Sequence, residues 1–178
     1  MQTIHIKGMV CHRCILSVQD LLKKHRIPYI NVELGRVLLT KELSEQEYAD
    51  LNTELHSVGF EFIESRQQQL IENIKIQIEL YLQSIADSKK QNLSEFIKKA
   101  IPYDYNYVSE LFSKSENKTI EHYFIEKRIE KIKELLKYEV LNLTEIAYQL
   151  GFSSVQHMST QFKKATGSSP SQFRKLYT

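Results

Sequence analysis

Cysteine is scarce: Cys11 and Cys14 are the only two in 178 residues. A secreted scaffold held by disulfides needs several bridges, so that class is excluded. No apolar run approaches the ~20 residues that cross a bilayer. The first ten residues, MQTIHIKGMV, carry one lysine and lack the long apolar core and cleavage site of a signal peptide. These absences point to a soluble, cytoplasmic protein with no membrane partner. The six histidines show no metal-site spacing and no nucleophile motif occurs, so an enzyme is not expected. Acidic side chains are also missing after Glu145, where Lys163, Lys164, Arg174 and Lys175 stand without counter-charge. Such a field attracts a large anion such as nucleic acid. A solvated basic end is the plainer alternative.

What is present begins with an alternating stretch, QTIHIK, in which Ile4 and Ile6 share one face as in a half-buried strand. After Gly8 and Met9, the spacing of Cys14, Val18, Leu21 and Leu22 predicts a helix ending near Pro28. Tyr29 to Glu33 and Arg36 to Thr40 read as a hairpin about Leu34-Gly35. Ser44 and Glu47 have capping-box spacing for a second helix, which ends at Gly59, and Phe60 to Ile63 reads as a last strand. The order βαββαβ in residues 1–65 is the layout of a ferredoxin-like domain.

Cys11 falls in the first loop and Cys14 in the first helical turn, where free N–H groups and the helix dipole favour thiolate. Two thiolates suit a soft ion of low coordination such as Cu(I). Zn(II) wants four ligands, and only His12 lies nearby, so it fits less well. A redox pair and a relic loop with Cys14 as a small buried hydrophobe are the competing readings. The G-M-x-C-x-x-C motif within this element order resembles the heavy-metal-associated domain of copper chaperones and metal-transporting ATPases. The resemblance implies that Cys11 and Cys14 hold the metal and that Met9 packs beneath the loop. It also implies a metal donor protein as a partner.

The remainder repeats itself at an offset of 50 residues. NLSEFIKKAIPYDYNYVSELFSK (Asn92 to Lys114) aligns without a gap to NLTEIAYQLGFSSVQHMSTQFKK (Asn142 to Lys164). The match continues into Asn117/Gly167, both suited to left-handed backbone, and Tyr123/Phe173. Each copy reads as a Ser/Thr-capped short helix, a break, and a second helix with a polar outer face: a helix-turn-helix. Gln156, His157, Ser159, Thr160, Gln161, Lys163 and Lys164 are expected outward. Thr119 to Tyr138 contains neither Gly nor Pro and predicts a long central helix of about 30 Å. That is close to the ~34 Å between successive major-groove faces.

"IAYQLGFSSVQHMSTQFKKATGSSPSQFRK" (Ile146 to Lys175) resembles the AraC-type DNA-binding domain, whose signature runs I-A-x-x-x-G-F…F-K-K…G-x-S-P-x-x-F/Y-R. The resemblance covers roughly Leu70 to Tyr177 and implies a transcription regulator contacting promoter DNA through both motifs, with RNA polymerase as a possible partner. Carried over position by position, Val155, Gln156, His157 and Thr160 face bases in the second copy, and Asn106, Ser109 and Glu110 in the first. Gln and Asn suit adenine, Glu can accept from cytosine N4, and Val or Thr can meet a thymine methyl. Lys114, Lys163, Lys164 and Arg128 are phosphate candidates. Asp104 and Glu110 repel phosphate, so the second copy should dominate affinity.

The expected protein is therefore α+β. A ferredoxin-like domain (1–65) and a connecting helix (66–90) lead into an all-α double helix-turn-helix domain (91–178). The front would sense a soft metal and the back bind DNA. A thiol-redox switch, a metal-trafficking protein and a metal-free dimerisation or docking module, with a homodimer as the assembly, are the alternatives.

Overall fold

The computed structural model describes residues 1–86, 91–138 and 141–176. They fall into two compact units, Met1–Gln77 and Ile78–Thr178. The division lies inside a helix, beyond the domain end at residue 65 expected from the sequence. Residues 87–90 of the expected connecting segment lie outside the described residues. Among the described residues no helix is long and apolar enough to cross a membrane.

The first unit runs β1 (Gln2–Lys7), α1 (His12–Lys24), β2 (Tyr29–Glu33), β3 (Arg36–Leu39), α2 (Glu45–Ser57), β4 (Glu61–Phe62) and the start of α3 (Arg66–Ser84). The strands form one antiparallel sheet in the order β2-β3-β1-β4. Ile4 pairs with Val37 and Ile6 with Phe62. The period-2 pattern puts Ile4, Ile6, Val37 and Leu39 on one face, where they bury against Val18, Leu22, Leu51 and Leu55 of the two helices. Each such aliphatic side chain contributes about 1.5–3 kcal/mol by leaving water. Helix α2 begins with the expected reciprocal Ser44–Glu47 capping box. Helix α1 starts two residues earlier than its apolar spacing indicated, because Cys11 takes the N-cap position. The last strand shrinks to two residues, with Ile63 N–H still bonded to His5 O at 2.8 Å.

In the second unit, the described helices are α4 (Leu93–Ala100), α5 (Tyr105–Glu116), α6 (Ile120–Lys137), α7 (Leu143–Gln149), α8 (Val155–Thr166) and α9 (Pro170–Arg174), after the end of α3. Asn92 and Asn142, not the neighbouring Ser94 and Thr144, are the N-caps of α4 and α7. Each accepts the N–H of the Glu three residues on, and that Glu reaches back. The correction follows from geometry: the cap is the residue with extended backbone just before the first helical one. Val108 and Phe112 on α5, and Met158 and Phe162 on α8, are buried. Phe112 meets Tyr123 edge-on with ring centroids 5.5 Å apart, and Phe162 meets Phe173 in the same way at 5.5 Å. Asn117 and Gly167 both end their helices in left-handed backbone. In the second copy, Gly151 adopts φ +68°, and a Cβ there would approach Ile85 to 2.7 Å. The first copy turns differently, with Ile101 in extended backbone before Pro102 and its side chain buried.

Candidate nucleic-acid interface

Helices α5 and α8 are the second helices of the two motifs, and each turns one stripe inward and the rest outward. On α8 the N-cap Ser154 accepts the N–H of His157, which fixes the entry of the chain at Val155. Gln156, His157 and Thr160 are exposed, as are Lys163 and Lys164. Val155 is half-buried and packs against the core through its methyl groups. His157 Nδ1 lies 3.0 Å from Ser153 Oγ, and its ring stands edge-on to Phe152. Ser159 and Gln161, expected outward, are half-buried. They flank the inward stripe of Met158 and Phe162, so the open face is narrower than a polar pattern suggests.

On α5 the carboxylate of Asp104 accepts the N–H groups of Asn106 and Tyr107. Asn106 and Glu110 are exposed and Ser109 is half-buried. Lys114 donates to Glu110 at 2.6 Å, one turn apart. That ammonium holds the Glu110 carboxyl below its ordinary value. The two helices therefore share a scaffold but differ in field. Helix α8 begins with a neutral cap and carries two exposed lysines with no ion pair among the described residues. Helix α5 begins with a carboxylate and has its lysine already paired.

Arg128 does not join this surface. It sits on α6, 8 % exposed, and both Nε and Nη2 donate to Leu150 O, at 3.1 and 2.7 Å. Its guanidinium lies 3.6 Å from the centroid of Phe152 and 5.1 Å from that of Phe124. Burial lowers its pKa to about 10, so it stays charged at neutral pH. Its donors are committed to the carbonyl that ends α7, so it braces the turn instead of meeting phosphate. Arg174 similarly donates to Leu141 O at 2.7 Å.

In the first unit, Cys11 and Cys14 bring their Sγ atoms to 3.5 Å, and Cys14 Sγ lies 3.8 Å from Gly8 O. The backbone N–H of Cys14, directed at Cys11, is the main cause that lowers the Cys11 pKa, against some opposing burial. Met9 is fully buried beneath the loop. Gly8 adopts φ +91°, and a Cβ on it would come within 3.0 Å of Gly59 O. Its N–H donates to the buried carboxylate of Glu72 at 2.7 Å. His12 is exposed, and no cluster of three or more metal-ligating side chains occurs among the described residues.

Comparison with known proteins bears on the second unit. A family model described as "Helix-turn-helix domain" matches residues 99–176. The C-terminal domain of the two-component response regulator yesN from Fusobacterium nucleatum is 34% identical, with a TM-score of 0.50; the match covers 62% of this chain and 99% of that one. The unit carries an AraC-type helix-turn-helix domain. The C-terminal domain of AraT, a response regulator from Geobacillus stearothermophilus, is 27% identical with a TM-score of 0.52, covering 63% of this chain and 88% of that one. An "HTH-type transcriptional regulator in cgkA 5'region" of Pseudoalteromonas carrageenovora is 37% identical over 73 residues, 41% of this chain and 43% of its own length. The chain thus spans less than half the length of the curated relatives it matches.

Within the AraC-type domain, sequence reasoning passed over two residues on the same face. Tyr107 holds the register of His157, and Tyr103 that of Ser153. They are 47% and 57% exposed, with ring centroids 5.9 Å apart. The signal that could have found them was the 50-residue offset itself, applied to every outward position instead of only to polar ones.

Proposed function

We propose that this chain is a sequence-specific transcription regulator of the AraC type that binds promoter DNA through α5 and α8. The observation that carries this reading is the duplicated scaffold. Two capped helical hairpins each present an outward, non-core face, and the second face is basic and free of acid. Gln156 would pair with adenine, His157 and Thr160 would reach base edges, and Lys163 and Lys164 would position the backbone. The same proposal makes the first unit a ferredoxin-like domain of the heavy-metal-associated kind, supported by its βαββαβ order and the β2-β3-β1-β4 sheet. Its donor set fits a soft ion of low coordination: two thiols stand close together, one with a lowered pKa, and among the described residues they belong to no cluster of three or more ligating side chains. When bound, Cu(I) would supply thiolate-ligated charge at the head of α1. Cys11 and Cys14 would hold it, and Glu72 would keep the Gly8 turn in place.

The test is the affinity of the full chain for a promoter fragment at fixed salt, with and without one equivalent of Cu(I). Fixed salt matters because phosphate contacts make binding steeply ion-dependent. Binding no tighter than to unrelated DNA sinks the regulator reading. Specific binding that copper leaves unchanged, in the wild type and in a Cys11→Ser/Cys14→Ser variant alike, removes the metal-sensing part only.

A further inference from the structure

We propose that Tyr107, braced by Tyr103, is a base-reading residue of the first helix-turn-helix, and that it reads thymine through its methyl group. The inference rests on the DNA-binding reading and sharpens it: the two half-sites are then read by different chemistry.

Helix α5 is poorly equipped for an electrostatic grip. Its N-cap is a carboxylate, and Lys114 is held by Glu110. What it offers outward instead is ring surface. Tyr107 lies in the first turn, next to Asn106 and one turn before Glu110, on the helix end that a helix-turn-helix points at base edges. Tyr103 leans on it with planes inclined by 43°, and its own backbone is fixed by an N–H bond to Ile101 O at 2.9 Å. Two half-exposed rings on one face contribute little to the core, where Ile101, Val108 and Phe112 are already buried.

The major groove offers one apolar group, the thymine C5 methyl. A rigid aromatic ring has the matching surface at low conformational cost. Asn106 beside it suits adenine, so the pair together favours A·T steps. In the second copy the same two positions hold Ser153 and His157, joined by a hydrogen bond at 3.0 Å. That surface is polar where the first is apolar. Shielding of the Ile101–Tyr105 turn is the plainer role for the rings, and the two predict different responses to a change in the DNA.

The experiment first selects binding sites for the wild-type full chain from random duplex DNA. It then measures affinity for the selected site with each thymine of one half-site replaced in turn by deoxyuridine, which removes only the methyl. At one position the wild type should bind the uracil probe about fourfold more weakly, the worth of one buried methyl group. Tyr107→Ala should bind both probes equally, Tyr107→Phe should behave as wild type, and Tyr103→Ala should show a reduced difference. Equal binding of both probes by the wild type at every position overturns the proposal. So does Tyr107→Ala retaining the full difference, or Tyr107→Phe losing as much as Ala, which would assign the contact to the phenol oxygen. Selection of no sequence at all overturns the underlying regulator reading as well, whereas a selected site without a methyl effect overturns this inference alone.

Discussion

The two helix-turn-helix copies are the same object inside and different objects outside. Asn92 and Asn142 cap identically, Phe112 and Phe162 fill equivalent core positions, and the edge-on aromatic pairs share a centroid distance of 5.5 Å. Outward, a carboxylate cap, a paired lysine, Tyr107 of α5 and Tyr103 of the turn before it contrast with a serine cap, a histidine and two open lysines on α8. A duplicated core constrains only what it buries. The exposed positions were free to diverge, and on the proposed reading they would separate the work of gripping phosphate from that of reading an apolar edge.

That comparison can be broken most severely in the core. Phe112→Ala and Phe162→Ala should each cost about 3–5 kcal/mol in urea unfolding. The copies are equivalent only if the two losses agree within about 1 kcal/mol. Arg128→Leu should cost ~1–3 kcal/mol, because Leu150 O loses both donors. Its salt dependence of DNA binding should stay at the wild-type slope, and a flatter slope would restore Arg128 to the phosphate contacts.

Electrostatic asymmetry gives the next effect. Lys163→Ala with Lys164→Ala should flatten the plot of log affinity against log salt by about 1.8, two phosphates' worth. Lys114→Ala should change it by less than one phosphate, since Glu110 already occupies that ammonium. Asn92→Ala and Asn142→Ala should each lose ~1 kcal/mol of stability. Unequal losses would show that one motif relies more on its cap.

The smallest effect is the pH dependence of the Glu110–Lys114 pair. Glu110's folded pKa lies below the ordinary 4.5, so its contribution is present above that value and fades as pH falls through the lowered one. Thermal unfolding of the wild type and of Glu110→Gln should differ slightly at neutral pH and converge in acid. A difference that persists in acid would mean that the carboxylate charge is not its source.

Much of the architecture was readable because it is written in short-range periodicity. Alternation at Ile4 and Ile6, the Ser44–Glu47 spacing and the gapless 50-residue offset all involve neighbours in sequence. The notable misplacement was Arg128. A basic residue on a long helix is ordinarily exposed, and nothing local reveals that a carbonyl 22 residues away needs its donors. Tyr103 and Tyr107 escaped for a different reason: the 50-residue offset was applied to polar outward positions, and the structure leaves both rings about half exposed.

By itself, the sequence determined the elements, the Ser44–Glu47 capping box, the repeat and the two cysteines at the head of α1, since helix and strand periods act within a few residues. Tertiary structure decided the strand order, the seat of Gly8 N–H on Glu72, 64 residues away, and the sorting of basic residues into braces and open contacts. Those outcomes depend on which polar groups burial leaves unsatisfied, and a buried carbonyl or amide finds its partner wherever the fold brings one within reach.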